Sequence, residues 1–404
     1  MNKPIQSKRK GSALALVMIV LIVMLAMGVG LLSLGQSSRI RAARTGSDIV
    51  ARCAADAGLT KCIFEMNNKL KDGNEPWTDS NLPHAINETL ANCDATFTYS
   101  VITDDDNVYN IESIGSSGMA KRKVNCSLKL EGLFEYAIFV QDNLTLQNGT
   151  TVDMRNADPE DPVLKIGTNS IEEAVIFAKD GVTIDGDVVV GYGGDPEVVI
   201  DSVKEVTITG DAYAAPVEEV LPSVKVPAWL GALPSQGTLS GDTTITTSAK
   251  YDSINLNNGE ILTINGAVSI YVTGNVTIDN SAQILIADAN TNPDASLTMF
   301  LKGNLASQNK GVINNSSLDP RKLKVYGLDT CQDIAFKTQS VFYGEIYAPY
   351  ADVRVYNYVE FYGSVIAGSF LQDVYANFHY DALLRQARIN DIGAHFVIKQ
   401  WSED

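Results

Sequence analysis

The first strong feature of the chain is an apolar run from Ser12 to Gln36 that contains no charged residue. A helix of this length rises roughly 35 Å at about 1.5 Å per residue, which is enough to cross a hydrocarbon core of about 30 Å. Beyond the run, apolar residues recur at helical spacing as far as Leu70, with charged residues between them. The pattern therefore predicts one long helix over 12–70, apolar on all sides over 12–36 and amphipathic afterwards.

A small antiparallel sheet is predicted after the helix, so that loop and sheet together occupy 71–132. Residues 71–93 are polar, and three segments with alternating apolar positions follow at 96–103, 108–115 and 120–130. Turn-forming residues separate these segments, as short hairpin connections require. The first turn is acidic, but it lacks the distal glutamate of a calcium loop, so we expect no metal there.

The remaining residues, 133–404, contain short strand candidates and two internal repeats with no helix between them. The aligned segments are 271–276 with 300–305 and 342–344 with 361–363, and Tyr-Gly pairs begin at positions 326, 343 and 362. A strand repeat of roughly 20 residues is typical of a stacked coil, in which each turn buries its apolar residues against its neighbours. We therefore predict a mainly β protein in which 133–404 form a parallel β-helix (β-solenoid), with a proline-containing crossing loop near 214–236. A β-sandwich is the alternative.

The chain is acidic, because 48 Asp and Glu residues against 31 Lys and Arg residues give a net charge of −17. Such a surface repels phosphate backbones, which argues against general nucleic-acid binding. The three histidines lie far apart, and neither an HExxH nor a Cys-x-x-Cys pattern occurs. The sequence offers little from which to build a zinc site, and we expect no cofactor.

A basic cluster at 8–10 lies just before the apolar run. A short basic N-terminal tail stays in the cytoplasm, so the rest of the chain is expected on the outer side of the inner membrane. Arg39, Arg41 and Arg44 weaken this charge asymmetry, but large domains translocate largely regardless of flanking charge. The run is too long for a cleaved secretory signal, whereas a plain membrane anchor stays open.

Gly11 and Ser12 separate the basic cluster from the apolar run. This junction resembles the class III signal of type IV prepilins, and the long helix with Ala-Ala-Asp-Ala-Gly at 54–58 resembles PilX-type minor pilins. The resemblance implies a leader at 1–11, cleavage between Gly11 and Ser12 by a prepilin peptidase, and N-methylation of Ser12. It also implies assembly with other pilins or pseudopilins through the helix. The chain is similar, further, to PilX-like proteins whose large C-terminal domain has no assigned activity.

One position departs from the family pattern. Major pilins carry a glutamate at the fifth mature position, where this chain has Leu16. In the family that glutamate pairs with the N-terminal amine of a neighbouring subunit, and a carboxylate in lipid is costly unless it is paired. The resemblance therefore implies a tip or initiating subunit. We expect a non-enzymatic structural subunit of a pilus or secretion-type filament that displays its solenoid for adhesion or assembly.

Two other functions stay open, a membrane-anchored carbohydrate-active enzyme and an envelope scaffold that polymerises through solenoid ends. Glycoside hydrolysis needs two carboxylates about 5–10 Å apart. Four carboxylates are candidates, but each adjoins a glycine, so turn chemistry already explains them. They are Asp185, Asp187, Asp211 and Asp242. His379 near Asp381 has the spacing of a base and an orienting acid, yet no nucleophile flanks it, and we assign no catalytic residue.

Tyrosines are concentrated between positions 343 and 380. Those that face inward would stack in the core, whereas those that face outward would form a platform for a sugar ring or a partner protein. We expect a mixture, with the tyrosines that precede glycine in the core, and a surface glycan or protein ligand stays open. The set is Tyr343, Tyr347, Tyr350, Tyr356, Tyr358, Tyr362, Tyr375 and Tyr380.

An exported domain permits disulfides, and the chain has five cysteines. Cys53 and Cys62 are separated by about 13 Å along the predicted helix and point to opposite faces, so they cannot bond each other. Cys62, Cys93 and Cys126 are the candidate disulfide partners. Cys331 is expected to be a buried thiol.

Overall fold

The structure is a computed structural model that describes residues 12–72, 77, 81–103, 108–158, 162–314, 316–385, 389 and 394–403. It contains two compact units. The helix unit comprises Met1–Lys129 and Phe396–Asp404, and the coiled unit comprises Leu130–His395. The range predicted for the second domain, 133–404, therefore extends past the end of the coiled unit, because Phe396–Asp404 belong to the helix unit.

A single helix, α1, runs over Ser12–Asp72 without interruption and confirms the predicted long N-terminal helix. Its first part is apolar and exposed on all sides, and its second part buries one face. The buried positions recur at intervals of three and four, which is the spacing of one helical face. They are Ala51, Ala54, Ala55, Leu59, Cys62 and Met66.

A five-stranded sheet completes the helix unit, in the order β1-β2-β3-β4-β31. Its strands are β1 (Ala85–Thr89), β2 (Thr96–Thr103), β3 (Val108–Ser117), β4 (Ala120–Glu131) and β31 (His395–Glu403). The pairs from β1 to β4 are antiparallel, as predicted for the three central segments. The sequence analysis did not anticipate β1 or β31, and the acidic turn at 104–107 lies outside the described residues.

Small residues set the distance between α1 and the sheet. A Cβ at Gly115 of β3 would overlap the backbone of Ala51 and Ala55 in the helix. Ser113 Oγ donates a hydrogen bond to the Ala55 carbonyl at 2.7 Å. The small-residue motif at 54–58 is therefore explained by this close approach.

The coiled unit consists of strands that stack in three columns. The first column contains β5 (Ile138–Val140), β8 (Leu164–Thr168), β11 (Gly186–Val190), β14 (Ala212–Ala214), β17 (Ala249–Tyr251), β20 (Ala267–Val272), β23 (Ser296–Leu301) and β26 (Leu323–Gly327). The second contains β6 (Leu144–Leu146), β9 (Ile176–Ala178), β12 (Ile200–Ser202), β15 (Thr238–Leu239), β18 (Ser253–Leu256), β21 (Val276–Ile278), β24 (Leu305–Ser307) and β27 (Asp333–Phe336). The third contains β7 (Thr151–Arg155), β10 (Thr183–Ile184), β13 (Thr207–Ile208), β16 (Thr243–Ile245), β19 (Ile261–Ile264), β22 (Gln283–Ile286), β25 (Val312–Ile313) and β30 (Asn377–Asp381).

Two long strands, β28 (Val341–Val355) and β29 (Glu360–Gln372), bend through all three columns. Short helices also occur, namely α2 (Pro196–Val199), α3 (Ala228–Gly231) and 3-10 turns at Leu133–Glu135, Pro320–Lys322 and Ala382–Arg385. Within each column the strands pair in parallel with the strand of the next turn of chain, and this succession is interrupted once, between β12–β14 and β15–β17. This is the pairing that the predicted β-solenoid requires.

The pairing register confirms two sequence repeats and corrects a third. Tyr271 lies opposite Phe300, and Tyr343 lies opposite Tyr362, as the aligned segments predict. Tyr326, however, lies opposite Tyr347 rather than Tyr343. The register follows the alternation of inward and outward side chains, so a repeated dipeptide in a different column does not mark an equivalent position.

The chain enters the stack in its middle. Residues 138–214 wind outward to one end, a connection leads to the other end, and residues 238–381 wind back. There β29 and β30 pair with β5, β6 and β7, so that Val365 lies opposite Ile138 and Phe378 opposite Val152. This junction, which we call the seam, joins strands that are more than 200 residues apart in sequence.

The connection between β14 and β15, residues 215–237, forms a strap along the outside of the first column. Its hydrogen bonds join Asn169 to Glu219, Tyr136 to Glu219, Tyr347 to Pro222 and Lys250 to Gly231. First-column side chains that alternate with the inward ones are consequently large and buried, namely Phe139, Phe300, Tyr326, Tyr347 and Ile366. The proline-containing crossing loop predicted near 214–236 corresponds to this strap.

Candidate functional site

The exposed part of α1 is the most unusual surface of the helix unit. Leu14, Leu16 and Leu34 are 78%, 65% and 67% exposed, although leucine is normally buried in a soluble fold. Within the described part of the chain, α1 is the one helix that is long and apolar enough to cross a membrane. Burial of this surface requires either lipid or other apolar helices.

The predicted processing junction lies at the start of this helix. Ser12 is the first residue of α1, whereas Gly11 and the rest of the predicted leader lie outside the described residues. Leu16 lies in the second turn and is exposed together with its neighbours. The start of α1 therefore presents an apolar surface around Leu16.

The cysteines occur as free thiols in the structure. Cys62 and Cys126 are buried between α1 and the sheet, Cys331 is buried in the coiled unit, and Cys53 and Cys93 are exposed. Burial, followed by the charge of Glu65 and then Cys126, raises the pKa of Cys62 to about 12. The disulfide partnership of Cys62, Cys93 and Cys126 stays a prediction.

A polar network crosses the seam on the outer surface of the third column. His379 Nδ1 lies 2.6 Å from Asp153 Oδ1, and His379 Nε2 lies 3.1 Å from Glu360 Oε2. Asn377 Nδ2 donates to Glu360, and Thr151 Oγ1 donates to Asn377. Neutral imidazole has one N–H, so only the imidazolium donates to both carboxylates. Burial lowers the pKa of His379, but hydrogen bonds and charge from Asp153 and Glu360 outweigh it, so the pKa is raised.

Aromatic rings continue this network along the column. Tyr343, Tyr362 and His379 form a stack with centroid separations of 4.2 and 4.6 Å. The candidate pair of His379 and Asp381 does not form in the structure. His379 contacts Asp153 and Glu360, and Asp381 accepts a hydrogen bond from Asn156 Nδ2 at 2.7 Å. The polar and aromatic side chains on the seam surface therefore bind one another.

Three of the four carboxylate candidates accept a hydrogen bond from a neighbouring coil, and the fourth residue, Asp211, takes part through its backbone N–H. The hydrogen bonds run from Thr209 Oγ1 to Asp185, from the Asp211 N–H to Asp187 and from the Ile261 N–H to Asp242, at 2.8, 2.8 and 2.9 Å. Within the described residues, no group of three or more His, Cys, Asp or Glu side chains is placed to hold a metal ion. These contacts give the carboxylates a role in holding coils together.

The tyrosines divide between buried and exposed positions. Tyr347 and Tyr380 are fully buried, whereas Tyr350, Tyr358 and Tyr375 are about half exposed. Tyr358 and Tyr375 stack at 5.6 Å, at a corner where both residues adopt positive φ. Tyr343 and Tyr362 precede glycines and are predicted to lie in the core, but the structure differs. Tyr343 is buried and Tyr362 is half-buried, and both lie in the outer ring stack rather than in the core between columns.

The sequence analysis missed Asp153 and Glu360. One signal was present, because Glu360-Phe361-Tyr362 and Asn377-Phe378-His379 share a polar–Phe–ring pattern that places Tyr362 beside His379. No local pattern indicates Asp153, since it lies 226 residues from His379 along the chain.

Comparisons with known proteins give distant likenesses. A family model described as "Domain of unknown function (DUF7305)" matches residues 232–387, which begin in the strap and end just after the seam. No curated protein matches the chain. Among solved structures, the chain is similar to the competence-associated pilin ComZ from Thermus thermophilus, with 13% identity, a TM-score of 0.30, and coverage of 89% of this chain and 97% of that one. It is also similar to the ice-binding protein LeIBP from Arctic yeast, with 12% identity, a TM-score of 0.30, and coverage of 61% and 90%.

Proposed function

We propose that this protein is a minor, PilX-like pilin subunit of a type IV filament, either a pilus or a secretion-type assembly, and that its coiled unit is a β-solenoid displayed at the filament tip. α1 holds the subunit in the inner membrane before assembly, with the N-terminus in the cytoplasm and the folded units outside. A prepilin peptidase cleaves between Gly11 and Ser12, and Ser12 becomes N-methylated. The role is structural and involves no catalytic residue.

The continuity of α1 carries this proposal. The same helix forms an exposed apolar segment of membrane-spanning length and then buries Ala51, Ala54 and Ala55 against the sheet. A secretory signal is cut away from its domain, whereas here the apolar segment continues into the core of the helix unit. Such a helix remains with the mature protein and is available for helix-to-helix packing in a filament.

Two further observations support the tip position. Leu16 provides no charge for the amine of an incoming neighbour. The coiled unit, Leu130–His395, is a large addition to the small helix unit and is difficult to repeat in every layer of a narrow fibre.

Exposed Tyr358 and Tyr375 offer an aromatic surface to a glycan or protein ligand.

Processing tests the proposal directly. In cells with a prepilin peptidase, mass spectrometry should find Ser12, methylated, at the mature N-terminus. Gly11→Val should block cleavage, because the peptidase subsite requires a glycine. Gly46→Val, at an exposed helical glycine with no atom within 4 Å of its Cβ position, is the matched control and should be cleaved normally. An intact Met1 in the wild type, or cleavage elsewhere, would contradict the proposal.

A further inference from the structure

Three exposed arginines, Arg39, Arg41 and Arg44, follow the apolar part of α1 and form what we call the arginine collar. At about 100° per residue, Arg41 and Arg44 lie on one side of the helix and Arg39 lies on the opposite side. The collar extends for roughly 7.5 Å along the helix axis. It therefore surrounds the helix with positive charge rather than marking one face.

The described residues supply no counter-charge to the collar. Asp48 is the first acidic residue of the sequence and lies one turn beyond Arg44. Its carboxylate is bound instead by Arg122 Nη2, at 2.5 Å. Across the described residues, no ion pair or hydrogen bond involves a collar side chain. The collar also lies on the outer side of the proposed membrane span, where arginine is less common than on the cytoplasmic side. Any counter-charge to the collar therefore comes from outside the described residues.

The position of the collar identifies that partner. A helix from Ser12 to Arg39 rises about 40 Å, which is about 10 Å more than a hydrocarbon core of about 30 Å. A tilted helix therefore places the collar just outside this core, at the outer membrane surface. The headgroup layer of one leaflet is about 5–7 Å thick, which is close to the length of the collar. Lipid contacts a single helix on every side, whereas one protein partner would contact one face.

We propose that the arginine collar binds the phosphates of anionic phospholipids in the outer leaflet of the inner membrane and fixes the depth of α1 before assembly. Guanidinium groups suit this ligand, because each presents a planar pair of N–H donors to two phosphate oxygens. The inference rests on the proposed membrane anchoring of α1. It adds a defined lipid class and three binding residues that anchoring by an apolar helix does not require.

The test uses the full chain reconstituted in vesicles of phosphatidylcholine with a minor fraction of phosphatidylglycerol. Lipids that remain bound after gentle solubilisation are quantified by mass spectrometry. The wild type should be enriched in phosphatidylglycerol, and each arginine replaced by glutamine should lower the enrichment by up to about fivefold. Glycerol phosphate in solution, at matched ionic strength, should not displace the lipid, because the collar is positioned for headgroups.

Two variants provide controls. A triple Arg→Lys variant at 39, 41 and 44 keeps the charge but lacks the paired N–H donors, so it should retain part of the enrichment, more than the triple Arg→Gln variant does. Arg52→Gln removes a charge about 12 Å further along the helix, where Arg52 pairs with Glu403, and should leave the enrichment unchanged.

The outcomes separate this inference from the proposed function. If the wild type fails to float with these vesicles or with vesicles of phosphatidylcholine alone in a density gradient, membrane anchoring is wrong and the inference falls with it. If the wild type floats but shows no preference for phosphatidylglycerol, or if the triple Arg→Gln variant keeps that preference, the inference is overturned while anchoring stands.

Discussion

At the scale of single residues, His379 joins the first and the last coil of the chain, which meet at the seam in the middle of the stack. It lies on β30, while Asp153 lies on β7 of the first coil, and the two side chains contact at 2.6 Å. Glu360 holds the second ring nitrogen, and Tyr362 stacks on the ring at 4.6 Å. Because His379 must be protonated to donate to both carboxylates, protonation of His379 stabilises the seam.

We predict that this contribution depends on pH. The pKa of His379 is raised in the fold above its ordinary value of about 6.5, so its stabilisation is complete below that pH and is lost as pH rises through the folded-state pKa. His379→Gln should therefore lower the urea midpoint of the full chain in detergent more at about pH 6 than at about pH 9. Arg155, whose guanidinium lies 5.0 Å from the centre of the Tyr362 ring, is a further charged group in the surroundings.

Tyr343→Phe is the matched control, since it changes the same ring stack without removing the imidazole. Its effect on the midpoint should be equal at the two pH values. An equal effect of His379→Gln at both pH values would show that the imidazolium does not hold the seam.

At the scale of elements, the contact between α1 and β3 depends on the absence of side-chain atoms. Gly115→Ala places a Cβ against the backbone of Ala51 and Ala55, which cannot move independently of the helix. We expect a loss of about 1–3 kcal/mol in the stability of the helix unit, as for other overpacked interfaces. Hydrogen exchange over 51–66, followed by mass spectrometry, should become faster.

Gly46→Ala is the control for this prediction, because its Cβ position in the same helix is open. It should leave exchange unchanged or slow it slightly, since alanine favours helix by up to about 1 kcal/mol. Similar exchange in the two variants would contradict the close approach of helix and sheet.

The strap is the second element whose contacts allow a test. Tyr347 is fully buried, and its hydroxyl donates to the Pro222 carbonyl at 2.6 Å. Tyr347→Phe leaves that carbonyl without its donor at a cost of roughly 1–3 kcal/mol. Limited proteolysis within 216–234 should therefore accelerate, whereas Tyr350→Phe, at a half-exposed ring, should not change it. Unchanged cleavage in Tyr347→Phe would mean that this bond does not hold the strap.

At the scale of the whole molecule, local patterns predicted the elements but not the order in which they meet. The long helix, the three central strands and two repeats follow from periodicity, because each depends on residues close in sequence. The seam does not, since Phe378 meets Val152 across more than 200 residues and both carry ordinary strand patterns. The strap was visible as a proline-containing interruption, but the aromatic surface that it covers was attributed partly to the core. β31 was not predicted as part of the small sheet, because a strand pattern late in the chain does not indicate which of two sheets the strand joins.

The central claim is that this protein is a tip subunit of a type IV filament, and localisation tests it most directly. Immunogold labelling of isolated filaments, with antibodies against the coiled unit, should place gold at one end of each filament and at low copy number. A strain that carries Gly11→Val should yield no labelled filaments, because unprocessed subunits stay in the membrane. Gold along the whole filament at stoichiometric abundance, or normal filaments that never carry the protein, would contradict the account.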